Sequence, residues 1–183
     1  MSELDLVFIC DCTGSMGSYI NAAKQNIETI ITKIIQFEKS DVRFALIEYR
    51  DHPPQDRSFA FRLTNFTSSL NEMKTAVNGM QANGGGDTPE SICCAFNCAV
   101  NLEWREDATK IIIWIADAPP HGFMKHGDGF PEGCPCHCDL IQEVRKCVNK
   151  DIVIYSVGTE PLQVDYLRTL MRAVSYLVKN VKI

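Results

Sequence analysis

The chain has 183 residues, 45% of them hydrophobic and 22% charged, the balance of an ordinary folded domain rather than a disordered segment. Its formal net charge is −5 and no run of Lys or Arg forms a patch, which argues against nucleic acid and anionic membrane surfaces as partners. No apolar stretch approaches the roughly 20 residues needed to span a bilayer.

Leu4 to Cys10 is apolar at nearly every position, as expected for a central strand covered on both faces of a parallel sheet. After a turn at Asp11 to Gly17, the positions Ile20, Ala23, Ile27, Ile30, Ile31 and Ile34 recur at spacings of three and four and predict an amphipathic helix ending near Phe37. Val42 to Tyr49 reads as the second strand, followed by the proline turn Arg50 to Pro54 and a short edge strand over Phe59 to Leu63. Leu70 to Met80 has helical spacing. The glycine run Gly84 to Gly86 then breaks the chain before a helix expected from about Pro89 to Leu102, capped by Thr88.

Lys110 to Ala116 is the most hydrophobic stretch and predicts another central strand. Pro119 to Cys138 is a long loop rich in Gly, Pro and His, a kind of segment that in a compact domain usually carries function or is ordered by its own contacts. Leu140 to Asn149 predicts a helix, Ile152 to Val157 a strand, Leu162 to Val174 a final helix, and Tyr176 to Val178 a last short strand. No repeat or linker interrupts the series, so residues 1–183 read as one domain. The expected architecture is α/β: a doubly wound, Rossmann-like, mostly parallel six-stranded sheet flanked by helices. In such sheets ligands bind beyond the carboxyl ends of the strands, which directs attention to residues 11–17, 49–53, 84–90 and 117–122.

Nine cysteines, an odd number, lie partly inside apolar runs: Cys10 on the first strand, and Cys93, Cys94 and Cys98 on one helix. Most read as reduced, buried small hydrophobes, and with no basic, apolar leader at the N-terminus the expected setting is intracellular and cytoplasmic. The triplet Asn65-Phe66-Thr67 is a glycosylation acceptor only if the chain is secreted.

The chemistry concentrates in Asp11-Cys12-Thr13-Gly14-Ser15, where a carboxylate and two hydroxyls alternate at the end of the first strand. Thr88 follows the glycine run and Asp117 ends the strong strand. Two carboxylates and three hydroxyls suit a hard cation, Mg²⁺ or Mn²⁺, and disfavour zinc at that point. A formal charge of about −2 around a dication leaves waters that an incoming carboxylate replaces. The helix that starts near Ser15 turns its positive end toward the same place, which disfavours the metal slightly but favours an anionic ligand.

On these residues the chain resembles a von Willebrand factor type A domain carrying a metal-ion-dependent adhesion site. The family's D-x-[ST]-x-S motif falls on Asp11, Thr13 and Ser15, its threonine on Thr88 in Gly84-Gly-Gly-Asp-Thr88, and its second aspartate on Asp117. Within the family, the segments Glu48-Tyr-Arg-Asp-His-Pro-Pro54, Ala116-Asp-Ala-Pro-Pro-His-Gly122 and Asp128-Gly-Phe-Pro-Glu-Gly-Cys-Pro135 are most similar to domains associated with alpha-kinases. The resemblance implies direct metal contact from Ser15 and from Thr13 or Thr88, water-mediated contact from Asp11 and Asp117, and completion of the ion by a partner protein's Glu or Asp. Met171 to Tyr176 departs from the family pattern, lacking its usual glycine turn.

Other readings compete. An isolated D-x-T-x-S is common by chance, and it is the agreement of three separated loops that lifts it above a turn motif. Asp87 fits helix entry as well as support of the metal, and Glu48, Asp51 and His52 follow the strand beside the first and so could border the cation, but read rather as solvated loop residues. Cys134, Cys136, His137 and Cys138 are zinc-ligand types, but their one-residue spacing is not that of a zinc finger or ribbon, so a structural Zn²⁺ there is disfavoured against loop thiols or a disulfide. The chain carries no nucleophile elbow, Walker A lysine or dinucleotide fingerprint, so no catalytic residue and no organic cofactor are expected. A metal-assisted hydrolase using a loop histidine as base, and a scaffold or regulatory domain of a larger protein such as an alpha-kinase, remain the alternatives to a binding module.

Overall fold

The computed structural model describes residues 2–37, 39–124, 126–159 and 169–174. Its sheet contains five strands, β1 (Glu3–Asp11), β2 (Asp41–Tyr49), β3 (Phe61–Thr67), β4 (Thr109–Ala116) and β5 (Ile152–Gly158), in the order β3-β2-β1-β4-β5. All neighbours are parallel except β2 and β3. The helices are α1 (Ile20–Phe37), α2 (Leu70–Gly79), α3 (Ile92–Val100) and α4 (Leu140–Asn149), and a 3₁₀ turn over Gly14–Ser18 leads into α1. The expected sixth strand, Tyr176 to Val178, lies outside the described residues, as does most of the expected last helix, of which 169–174 are helical.

The strand alternation sorts β1 onto two cores. Leu6, Phe8 and Cys10 face α1 and α2, packing with Met16, Ile27, Ile31, Met73 and Val77. Val7 and Ile9 face α3 and α4, packing with Ile92, Phe96, Trp114 and Val144. Both faces of β1 are therefore dry, which is why its sequence is apolar throughout instead of alternating. On α1 the three- and four-residue spacing places Ile20, Ala23, Ile27 and Ile31 in one buried stripe.

Two local expectations shift. The edge strand runs over Phe61–Thr67 rather than Phe59 to Leu63, antiparallel to β2, with Tyr49 opposite Phe61. Helix α3 begins at Ile92, after Ser91, and not at Pro89 behind a Thr88 cap. The reason is competition for the backbone: Glu90 N–H donates to Pro119 O at 2.9 Å and Ser91 N–H to Arg50 O at 2.9 Å, bonds that hold residues 90 and 91 out of a helix. The Ser91 hydroxyl lies 2.8 Å from Arg50 O and 2.5 Å from Ala60 O, so it ties α3 to the β2–β3 connection instead of capping its own helix.

Because β1, β2 and β4 are parallel and in register, Asp11, Tyr49 and Ala116 end at one rim of the sheet. The loops that leave there are tied together. Cys12 N–H donates to Tyr49 O, Asn83 N–H to Cys12 O and Gly14 N–H to Gly84 O, at 2.9 to 3.1 Å. Buried Arg50 reaches Cys12 O, the Ser58 hydroxyl and Gln81 O at 2.9 to 3.0 Å, bracing three segments with one guanidinium.

Candidate metal centre

Asp11 closes β1 with its carboxylate fully buried. Its Oδ1 accepts from Thr13 N–H at 2.9 Å and from the Thr13 hydroxyl at 2.6 Å, and Thr13 Oγ1 lies 3.0 Å from Ser15 Oγ. Thr13 is buried and Ser15 exposed, so the chain of oxygens runs from the sheet out to solvent. The Asp117 carboxylate, from the end of β4, lies close enough to Asp11 for its charge to act on it. Burial first, and then the charge of Asp117, push the Asp11 carboxyl up to about 8. Asp11 Oδ2 and Asp117 Oδ1 are both buried without a hydrogen-bond partner among the described residues. Two adjacent carboxylates with orphaned oxygens form a site short of positive charge, and their oxygen chemistry fits a hard dication.

The structure thus brings Asp11, Thr13, Ser15 and Asp117 together. Thr88 is exposed, on the segment that the glycine run carries past Thr13. That segment needs its glycines. Gly85 has φ +75°, and a Cβ there would stand 3.3 Å from Thr13 Cβ and 3.2 Å from Glu90 Oε1. Gly85 N–H also donates to Asp56 Oδ2 at 3.0 Å, which anchors the run to the β2–β3 connection.

Several residues that sequence reasoning passed over belong to the same rim. Glu90 is 3% exposed, and burial, followed by the charges of Asp11, Asp51, Asp117 and Asp87, pushes its carboxyl up to about 12. Its Oε2 is another buried oxygen without a partner among the described residues. Glu48, Asp51 and His52, expected as solvated loop residues, are all buried. Glu48 is held by Arg62 through two bonds of 2.8 Å, and Asp51 by His121 Nε2 at 2.7 Å. The β2–β3 connection folds inward under the loop after β4, a tertiary event that the local Pro-rich composition does not signal.

His121 bonds Asp51 through Nε2 and Asp128 through Nδ1, at 2.7 and 2.8 Å. Burial alone would lower its pKa, but the two carboxylates outweigh it and hold the ring above its ordinary value. Asp87 accepts from Gly129 N–H, which places it against the long loop and not at a helix entrance. One potential ligand atom from each of Asp51, Asp87 and His121 lies within 4.8 Å of the other two. The loop residues Cys134, Cys136, His137 and Cys138, disfavoured above as a zinc site, do not gather as a unit: His137 stands exposed on a turn at φ +59°, while Cys134 and Cys136 meet His52 and Cys94.

A parallel sheet with an oxygen-rich rim at its carboxyl edge is the architecture of a von Willebrand factor A domain, and that family's model matches residues 5–126. The chain belongs to the von Willebrand factor A domain family. It is 35% identical over 136 residues to the alpha-protein kinase vwkA of Dictyostelium discoideum, covering 72% of this chain and 21% of that protein. It is 32% identical over 160 residues to a putative ariadne-like RING finger protein, R811, of Acanthamoeba polyphaga mimivirus, covering 84% of this chain and 16% of the relative. The chain therefore spans about a fifth or less of the length of these two relatives. The pilus adhesin SpaC of Lactobacillus rhamnosus GG in its open conformation superposes with a TM-score of 0.70 at 12% identity, covering 98% of this chain and 27% of the adhesin. That likeness establishes the fold.

Proposed function

We propose that this domain is a divalent-cation-dependent protein-binding module in which Asp11, Thr13, Ser15, Thr88 and Asp117 hold a Mg²⁺- or Mn²⁺-type ion that recognises an acidic group on a partner. The observation that carries the reading is the pair of neighbouring carboxylates, Asp11 and Asp117, each keeping a buried oxygen without a partner beside the Thr13 and Ser15 hydroxyls. A hard dication bound there would supply an open coordination position for a Glu or Asp side chain of the partner. Asp11 and Asp117 contribute the negative charge, and the Thr13 hydroxyl fixes the Asp11 rotamer by its 2.6 Å bond. Ser15, exposed beyond them, faces the approach route.

The reading takes residues 1–183 as one domain of a larger assembly in an intracellular setting, where the cysteines stay reduced. Support for a binding role over metal-assisted hydrolysis comes from His121. A general base must be free to accept a proton, and both ring nitrogens of this buried histidine already face carboxylates.

The test is thermal unfolding with and without Mg²⁺ or Mn²⁺. The wild type gains melting temperature on adding the ion, and Asp11→Ala and Thr88→Ala do not. Capture of acidic-peptide baits that disappears on chelation supports the partner half of the proposal. An ion-induced shift that persists undiminished in both variants removes the assigned site.

A further inference from the structure

A second group of metal-binding side chains lies beside the first rim and differs from it in every chemical respect. His52 follows β2, Cys94 sits in the first turn of α3, and Cys134 and Cys136 belong to the loop between β4 and α4. One ligand atom from each of these four residues lies within 4.8 Å of the other three. Cys94 Sγ is 3.4 Å from Cys134 Sγ, and His52 Nε2 is 3.5 Å from both sulfurs. His52, Cys94 and Cys134 are buried, while Cys136 reaches solvent and leaves an entry path.

We infer that His52, Cys94, Cys134 and Cys136 form a structural Zn²⁺ site that fastens the long loop after β4 to helix α3 and to the end of β2. A tetrahedral zinc with Zn–S near 2.3 Å and Zn–N near 2.0 Å sets ligand-to-ligand edges of about 3.8 Å between sulfurs and about 3.5 Å between sulfur and nitrogen. The three buried atoms already stand at 3.4 to 3.5 Å. Three sulfurs and one imidazole are the Cys₃His set of closed structural sites, and they select a soft-tolerant ion over Mg²⁺.

The environment of Cys134 agrees. The Cys94 thiol, the His52 ring and the backbone N–H groups of Cys136 and Cys138 all turn toward its sulfur. Thiolate is the form that binds metal, and N–H groups of the following residues turned onto a cysteine sulfur hold it in place. The local backbone is shaped for this. Gly133 has φ +109°, His137 has φ +59°, and His137 N–H donates to Cys134 O at 2.9 Å, closing a tight turn around Cys136.

The fold also explains what such a clamp does. The loop that Cys134 and Cys136 anchor carries His121 and Asp128, and His121 in turn holds Asp51. Phe130 packs edge-on against both His52 and His121, with ring centroids 5.9 and 4.9 Å away. Fixing the four ligands fixes the loop that covers one side of the acidic rim.

Cobalt reports the site directly. Full-length chain, purified reduced and stripped of metal, is titrated with Co²⁺ alone and then with Zn²⁺. The wild type takes up one Co²⁺ with the thiolate charge-transfer and tetrahedral d–d absorption of a sulfur-rich site, and Zn²⁺ displaces it. Cys134→Ser and the solvent-reaching Cys136→Ser weaken binding on the order of 100-fold or more. Asp11→Ala, which removes the oxygen site, leaves the cobalt spectrum unchanged, so failure of one metal proposal is distinguishable from failure of the other. Circular dichroism on Cys136→Ser confirms a folded chain. Absence of charge-transfer bands in the wild type, unweakened binding in Cys136→Ser, or a Cys94–Cys134 disulfide in the reduced preparation overturns the assignment.

Discussion

At the residue scale the domain concentrates unlike solutions to one problem, that of keeping carboxylates away from water. Asp5 is fully buried. Burial alone would raise its pKa, yet hydrogen bonds from Arg43, at 3.0 and 2.7 Å, and from the backbone and side chain of Arg105, both at 2.9 Å, bring it below its ordinary value. A depressed carboxyl stabilises the fold above its unfolded-state pKa, and that contribution is lost as pH falls through its lower folded-state value. Asp5→Asn is therefore expected to lower unfolding free energy by about 3 kcal/mol at neutral pH. Urea titrations should show the gap to wild type closing only in strong acid. Asp11 and Asp117 lack such guanidinium partners in the described structure, and their charges act against each other. Asp117→Asn should raise the melting point of metal-free protein, by about 1 kcal/mol in stability, while abolishing its response to Mg²⁺. Scanning calorimetry in chelator and in Mg²⁺ reads both effects, and a destabilised metal-free variant would contradict the repulsion argument.

At the scale of elements, periodicity carried the assignment wherever a helix or strand buries one regular face. Helix α1 follows its stripe: Ile27 and Ile31 are completely buried, whereas Ile35 is 42% exposed. Ile27→Ala is expected to cost about 2 to 5 kcal/mol and Ile35→Ala no more than about 0.5 kcal/mol, measured by denaturant unfolding. Comparable losses at the two positions would show that α1 does not present the face described. The same legibility fails at α3, whose beginning Thr88 and Pro89 advertise in sequence. There the backbone of Glu90 and Ser91 is taken by Pro119 and Arg50, and a tertiary hydrogen bond outweighs a local capping preference. The edge strand begins two residues later and ends four residues later than expected for a related reason, because its limits follow pairing with β2 and not its own composition.

For the whole molecule, the decisive arrangement is the rim where four connections meet. The long loop after β4 reaches back to Asp51, Asp87 and His52 and is held there by His121, Gly129 and Cys134. If zinc fastens this loop, removing the metal should speed amide exchange across residues 121–138, while the amides of β1 and β4 keep their protection. Hydrogen-exchange mass spectrometry separates these regions, and uniform loosening of the sheet would argue for a role in global stability instead. The order of elements, the central position of β1 and the D-x-T-x-S turn were readable in the chain because each is written in neighbouring residues: apolar runs, helical spacing and alternation at a strand end. Glu90 beside Asp11, and His52 beside Cys94 and Cys134, are separated by 42 to 82 positions and became neighbours only when parallel strands delivered their loops to one edge. Local pattern determines what each segment is. Crossover and register decide which segments share a site, since those depend on how the two faces of the sheet are covered and not on any single stretch of residues.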